Sequence, residues 1–285
     1  MKFPAFAYAR PTTIDEAVTL LASDEDARPL AGGQTLLPIL ALRMSMPSCL
    51  VDLNDIDALK NITVGDGIVT VGAMVTHATN LANEEHRTHL PLISEAVRHV
   101  AHEAIRSRGT IGGSLAHADA AAEMPLVVLA LDATMVIANQ QGERRVAAGD
   151  FFAGHYTTAI GAGELLTSIE FPIPDHRWAF EEVARRPGDF ALVMAATGLK
   201  AHNGVCESAR IALGSVADRP IRAPAAEDFL VGKKINAEVA AEAAQIATQD
   251  LKSHGDIHAS AEYRRTVAGT MVKRALVRAA TEQSA

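Results

Sequence analysis

The chain is poor in the residues that build metal and redox centres. Of its 285 residues only two are cysteine, Cys49 and Cys206. An iron–sulfur cluster usually takes four cysteine ligands, and a Cys-rich zinc site also needs more than two, so this chain alone holds neither. A disulfide between the two is open on paper. The N-terminus, MKFPAFAYARPTT, has one Lys and no apolar h-region after it, so two reduced thiols in a cytoplasmic protein are the expectation. Aromatic residues make up only 4% of the chain, which leaves the core to Ala, Val, Leu and Ile. No run of 18 apolar residues occurs, so no membrane-spanning helix is expected. Basic residues are outnumbered 26 to 34, a formal charge of −8, whereas a nucleic-acid-binding surface normally carries the opposite excess. With 48% hydrophobic and 21% charged residues, disorder, collagen and coiled coil are excluded. A chain of this length is expected to divide into two or three subdomains.

The common nucleotide and hydrolase signatures are missing too. No G-x-G-x-x-G occurs, since Gly161-Ala-Gly163 lacks the third glycine, and Gly232-Lys233 lacks the upstream glycine of a P-loop. His102-Glu103 has Arg at position 106, where a metalloprotease helix needs a second His. No G-x-S-x-G nucleophile elbow is found. His99 and His102 share a face of an expected helix, as do His254 and His258 if that stretch is helical; solvated faces are the ordinary reading of both pairs. No acid, base or nucleophile constellation emerges, and no catalytic side chain or metal ligand is assigned.

The pattern that is present is α+β. Thr13-Ile-Asp-Glu16 is a capping box opening a helix through Leu21. A short strand spans 28–31, a helical run 36–44 and another strand 50–52. Ile62 to Val71 around Gly65-Asp-Gly67 reads as a hairpin. Apolar spacing predicts a single helix over 89–106 and another over 119–131. A hairpin over 134–146 and a strand over 165–171 follow, closed by Pro172 and Pro174. Residues 172–176 are the main linker candidate. Beyond it come three strands and then helices, the last two over 237–251 and 261–282.

Within this frame two Gly-Gly loops stand 80 residues apart, Gly32-Gly33 and Gly112-Gly113. Glycine admits positive φ and lets backbone approach a ligand closely, and successive free amides form an anion-binding nest. Either loop alone is ordinarily a tight turn. Two facing each other could hold both phosphates of a dinucleotide, with Asp119 nearby for a ribose hydroxyl or a bridging water.

The residues around these loops carry a resemblance. Ala31-Gly-Gly-Gln-Thr-Leu36 and Gly109-Thr-Ile-Gly-Gly-Ser-Leu-Ala116 with Asp119 resemble the FAD-binding medium subunit of molybdenum hydroxylases, the flavoprotein subunit of carbon monoxide dehydrogenase and the FAD domain of xanthine dehydrogenase. Phe3-Pro-Ala-Phe6, Arg10 to Ala17, Glu164 to Pro172 and Arg186-Pro-Gly-Asp-Phe-Ala191 extend it over almost the whole chain in matching order. The resemblance implies a two-part flavin-binding domain of the PCMH/VAO type, residues 1–57 and 58–174, followed by a smaller α/β C-terminal domain, residues 178–285. It also implies FAD between the two parts. Ala31, Gly32, Gly33, Gln34, Thr35 and Leu36 would wrap the pyrophosphate through backbone amides. Thr110, Gly112, Gly113 and Ser114 would hold the other side, Asp119 would reach the ribose or pyrophosphate region, and Leu166 would pack near a ring. Two departures are visible: Ala120 stands where the family commonly has Pro, and Gln34 where it often has His.

The family's enzymes need a molybdenum cofactor and two [2Fe–2S] clusters, which two cysteines cannot hold. The resemblance therefore implies a large molybdopterin-binding partner and a small iron–sulfur partner, in a heterotrimer that pairs. This chain would be the electron-transfer subunit, an oxidoreductase component passing electrons to an external acceptor. Two alternatives stand beside it: a self-contained FAD-dependent reductase on a related fold, and a non-catalytic scaffold whose glycine loops are turns.

Overall fold

The computed structural model describes residues 2–281, which form three larger sheets in succession, each backed by its own apolar cluster, and one separate two-stranded ribbon. The first unit runs β1 (Ala7–Ala9), α1 (Ile14–Ser23), β2 (Arg28–Leu30), α2 (Leu36–Ala41) and β3 (Cys49–Asp52). Its sheet is parallel, in the order β1-β3-β2. The N-cap of α1 forms as its residues dictate: Glu16 N donates to Thr13 Oγ1 at 3.2 Å, and Glu16 Oε2 accepts from Thr12 N at 2.8 Å. Ala17, Val18 and Leu21 then point inward onto Val51 and Leu53.

The second unit opens with β4 (Ile62–Gly65) and β5 (Ile68–Gly72), joined by Asp66 and Gly67, both with positive φ (51° and 75°), as a two-residue hairpin of this hand requires. Helices α3 (His77–Ala82), α4 (Glu84–His89), α5 (Pro91–Val97), α6 (Glu103–Arg106), α7 (Ile111–His117) and α8 (Glu123–Ala130) follow. The unit closes with β6 (Thr134–Asn139), β7 (Gly142–Ala147), α9 (Ala148–Phe151), β8 (Phe152–Gly154), β9 (Thr157–Thr158) and β10 (Leu165–Pro172). Five of these strands make an antiparallel sheet, β4-β5-β10-β6-β7. Every residue of α8 is buried, because the helix lies between this unit and the third.

The third unit is an antiparallel meander, β11 (Arg177–Ala184), β12 (Ala191–His202), β13 (Val205–Gly214) and β14 (Ile221–Arg222), followed by α10 (Pro224–Leu230), α11 (Ala237–Thr248) and α12 (Ala261–Thr281). Strand β12 has no solvated face over its centre. Val193 and Ala195 join the cluster under α11 and α12, while Met194 and Ala196 join the cluster of the second unit. Period-two side chains thus serve two cores at once. Arg278 of α12 fastens the seam: it pairs with Glu95 of α5 and with Glu181 of β11, and donates to Phe180 O at 2.7 Å.

Several sequence expectations change here. The helix expected over 89–106 is broken. Pro91 starts α5, Ala101 has φ of 38°, and Arg106 donates to Val100 O and Ala101 O (2.8 and 2.9 Å), so the intervening carbonyls are held by a side chain rather than by a helix. His99 and His102 therefore share no helix face: His99 lies against Phe180, its ring 5.2 Å away, and His102 is exposed. The run 36–44 ends at Ala41. Arg43 (φ 58°) closes it, with Met44 N donating to Ile39 O and Arg43 N to Leu40 O, a Schellman closure without its usual glycine. The helix expected from Asp119 begins at Glu123, because Ala118 (φ 52°) turns the chain. Residues 249–260 carry no helix, so His254 and His258 share no face, and Glu282, the expected end of α12, lies outside the described residues.

Candidate functional site

The first glycine motif leaves β2 and enters α2. Leu53 N donates to Leu30 O at 3.0 Å, which holds the strand end. The next carbonyl, Ala31 O, accepts from Asn54 Nδ2 at 3.3 Å. Asn54 is itself fixed by Asp52, whose Oδ1 accepts from Asn54 Nδ2 (2.6 Å) and Asn54 N (3.0 Å), while Tyr8 Oη donates to Asp52 Oδ2. Burial would raise the Asp52 carboxyl, but these hydrogen bonds outweigh it and hold the group below the usual aspartate range. With the Ala31 carbonyl tied back, the loop runs on through Gly33 at φ 72°, where Leu37 N returns to Gly33 O at 3.1 Å. Among the described residues, the main-chain amides of Gly32, Gly33, Gln34, Thr35 and Leu36 find no acceptor. Five consecutive donors without protein partners, on residues that apart from Gly32 are half-buried or exposed, form the cradle an anion needs.

The second motif behaves differently. The sequence reads it as a loop, but Gly112 and Gly113 lie in the first turns of α7, capped by Thr110. Its amides are already in use. Ile111 N donates to Val75 O, Gly112 N to Ala73 O, Gly113 N to Thr110 Oγ1 and Ser114 N to Thr110 O, at 2.9 to 3.1 Å. The glycines here serve close packing. A Cβ on Gly112 would lie 2.5 Å from Ala73 Cβ, and one on Gly113 would lie 2.9 Å from Thr110 Oγ1 and 3.7 Å from Ala31 Cβ. Ala73 is held in turn by Thr167 O, at the bulge between Leu166 and Ser168 of β10.

The fold brings the two motifs into contact. A Cβ on Gly32 would lie 1.9 Å from Arg108 O and 2.9 Å from Gly109 Cα, so the first loop lies directly on the chain entering the second. Gly109 in turn rests on His77, which is buried with Nδ1 unpaired; burial pushes its pKa down to about 4, so the ring stays neutral. The stretches 31–36 and 108–113 are therefore in direct contact. Asp119 lies just beyond α7, half-buried, with Oδ1 accepting from Ala121 N at 2.9 Å. Leu166 is a buried residue of β10, opposite Ile137 of β6. Sequence reasoning missed Asn54, Asp52 and Tyr8. The pattern D-x-N at a strand end is the one local signal for the first two, and nothing local points to Tyr8.

A dinucleotide fits these residues. The first loop supplies free amides, glycine allows contact between the lobes, and the hydroxyls of Thr35 and Ser114 bond to no protein group among the described residues. Two buried carboxyls lie toward the third unit. Burial raises Glu123 to about 7 and Glu182 to about 8, with His99 Nδ1 3.8 Å from Glu182. Among the described residues no three His, Cys, Asp or Glu side chains gather into a metal site, and no helix is long and apolar enough to cross a membrane.

A free-amide loop from a small parallel unit, set against a tightly packed helix start from a second unit, is suited to a dinucleotide. Residues 4–174 match the family described as the FAD binding domain in molybdopterin dehydrogenase, and residues 178–279 match the CO dehydrogenase flavoprotein C-terminal domain. The chain belongs to this family of FAD-binding medium subunits, as the resemblance of its glycine motifs implied. It is 40% identical over 279 residues to the nicotine 6-hydroxylase medium subunit of Paenarthrobacter nicotinovorans, covering 98% of this chain and 99% of that one. It is 40% identical over 278 residues to the carbon monoxide dehydrogenase medium chain of Afipia carboxidovorans, covering 96% of each. The crystal structure of quinoline 2-oxidoreductase from Pseudomonas putida 86 contains a chain with a TM-score of 0.97 and 50% identity, over 99% of both chains. FAD is thus the cofactor of this fold and oxidoreduction its class of chemistry.

Proposed function

We propose that this chain is the electron-transfer subunit of a heterotrimeric molybdenum hydroxylase, with a large molybdopterin-binding partner and a small [2Fe–2S] partner, two such trimers pairing. FAD supplies the redox chemistry by which such a subunit takes electrons from iron–sulfur centres and gives them to an external acceptor. The chain's own residues bind and orient it. Gly32, Gly33, Gln34, Thr35 and Leu36 hold the diphosphate through their amides, with Ala31 as the hinge of the loop. Thr110, Gly112, Gly113 and Ser114 close the other side, and Asp119 reaches the ribose or pyrophosphate region. Residues 1–57 and 58–174 act as the two halves of the cofactor domain, and residues 178–285 form a smaller C-terminal domain.

One observation carries this reading: the five unpartnered amides of the first motif lie where Gly32 touches the entry to the second. The two cysteines are free, Cys49 half-buried and Cys206 buried, which supports placing clusters on partner chains. The medium-subunit names of the relatives support the trimer. That similar proteins are named for quinoline, nicotine and carbon monoxide supports a substrate bound by the large partner, outside this chain.

The test is an absorption spectrum of the purified chain, heat release of the chromophore, and co-expression with its two partners. About one FAD per chain and a co-purifying trimer are expected. A colourless chain that also refuses added FAD would favour the scaffold reading. FAD-loaded chain that associates with neither partner would favour the self-contained reductase.

A further inference from the structure

The hairpin β8–β9 turns through His155 and Tyr156, and Tyr156 has φ of 51°. That left-handed corner of a two-residue turn ordinarily falls to Gly or Asn, because a Cβ there is strained. Here it carries a tyrosine whose side chain is left 62% exposed. The residue is nonetheless held in place. Tyr156 N donates to Ala118 O at 3.3 Å, and the phenol ring lies 5.0 Å from the His117 ring at 36°. Ala118 is itself left-handed, at φ 52°. Two non-glycine residues with strained backbone thus meet at one spot, and strain of this kind concentrates at ligand sites.

The spot is continuous with the cofactor cradle. Gly113 and His117 are four residues apart in α7 and so lie on one face of it, about 6 Å apart along the axis. Gly113 faces the first loop, since a Cβ there would stand 3.7 Å from Ala31 Cβ, an ordinary packing contact. Next to His117 stand Tyr156 and Asp119, the carboxylate raising the Tyr156 pKa so that the phenol stays protonated. Burial lowers His117, which leaves it neutral near pH 7. Two uncharged rings therefore sit half open, one helical turn from where the loops touch.

We propose that the rings of His117 and Tyr156 form a stacking platform for one planar ring system of the bound dinucleotide, isoalloxazine or adenine, beside the diphosphate cradle. This rests on the FAD reading of the site.

The test titrates the flavin-free full-length chain with FAD, FMN and ADP. Tyr156→Gly is the informative variant. It relieves the strained corner, so Tm should hold or rise, while loss of the ring should raise the Kd for FAD about tenfold or more. Tyr156→Phe keeps the ring and should bind FAD within about twofold of wild type. FMN carries the isoalloxazine without adenine, and ADP the reverse. A weakened FMN complex with unquenched flavin fluorescence identifies the isoalloxazine as the stacked ring; lost ADP binding with FMN unchanged identifies the adenine. Unchanged affinity for all three probes in Tyr156→Gly overturns the proposal. So does a loss that only follows a fall in Tm, which would make Tyr156 a structural residue. A wild-type chain that binds neither FAD nor FMN is a separate failure, of the cofactor reading itself, and shows before any variant is made.

Discussion

Replacing Gly32 by alanine tests the contact on which the site depends. The added Cβ would stand 1.9 Å from Arg108 O and 2.6 Å from its carbonyl carbon, where packed Cβ atoms keep at least 3.0 Å. The two loops must therefore part by about 1 Å. Arg108 and Gly109 cannot simply swing away: Gly109 N donates to Ile105 O at 2.7 Å, and Gly109 O accepts from His77 N at 2.8 Å. Overpacking of this kind costs about 1–3 kcal/mol. Taken up at the cofactor cradle, that is about a 5- to 150-fold rise in the Kd for FAD. Gly33→Ala is the control. Its φ of 72° brings backbone strain, but its Cβ would meet only side-chain atoms, the nearest on Leu37 at 3.0 Å. Strain of about 1 kcal/mol without separation of the loops should raise the Kd only about fivefold. Fluorescence titration of the flavin-free chain measures both variants, with thermal melting in parallel. If Gly32→Ala binds FAD within twofold of wild type and melts at the same temperature, the loops do not clamp the cofactor together and the argument fails.

Three further outcomes follow from the same geometry. Asn54→Ala frees the Ala31 carbonyl and should weaken FAD binding about three- to tenfold, roughly the loss of one hydrogen bond, read by the same titration; an unchanged Kd would show that the loop holds its shape unaided. Glu182, whose side chain is 3% exposed and whose Oε2 is unpaired, favours its neutral form in the fold. Its pKa is raised from 4.5 to about 8, so the native chain binds the extra proton, and the stability this contributes is full below 4.5 and lost as pH rises through about 8. Glu182→Gln should therefore stabilise the chain by a few kcal/mol, about 5 at most, at pH 9 and little at pH 5, measured by melting at both pH values; equal shifts would contradict it. Arg264 is buried and donates to Leu192 O, Ser215 O and Asp256 Oδ2. Arg264→Ala should cost about 3–5 kcal/mol in denaturant unfolding while leaving FAD content per folded chain unchanged.

Much of the frame is legible locally. The capping box at Thr13, the Asp66-Gly67 turn, the strands around 50 and 168 and the two glycine motifs all follow from near neighbours, because caps, turns and period-two strands are short-range chemistry. The misreadings have a common cause. Val100 and Ala104 continue the apolar spacing of α5, yet Arg106 satisfies the carbonyls of Val100 and Ala101 and the helix stops. Met44 is apolar and in phase with α2, yet Arg43 takes the left-handed closing position. In both places a hydrogen bond visible only in three dimensions outweighs the periodicity.

By itself the sequence determined the class of the protein, its cofactor and the two glycine motifs, because those rest on glycines placed where only glycine serves and on motifs in a set order. Tertiary structure decided how the two stretches divide the work. The amides of Gly32 to Leu36 are left free, whereas those of Ile111 to Ser114 are consumed by Val75, Ala73 and Thr110. It also recruited Tyr8, Asp52 and Asn54 to hold Ala31, and set Tyr156 against His117 and Asp119. Identical Gly-Gly pairs came to opposite uses, since an amide's availability depends on which carbonyl the fold brings within 3 Å of it, and no local spacing records that.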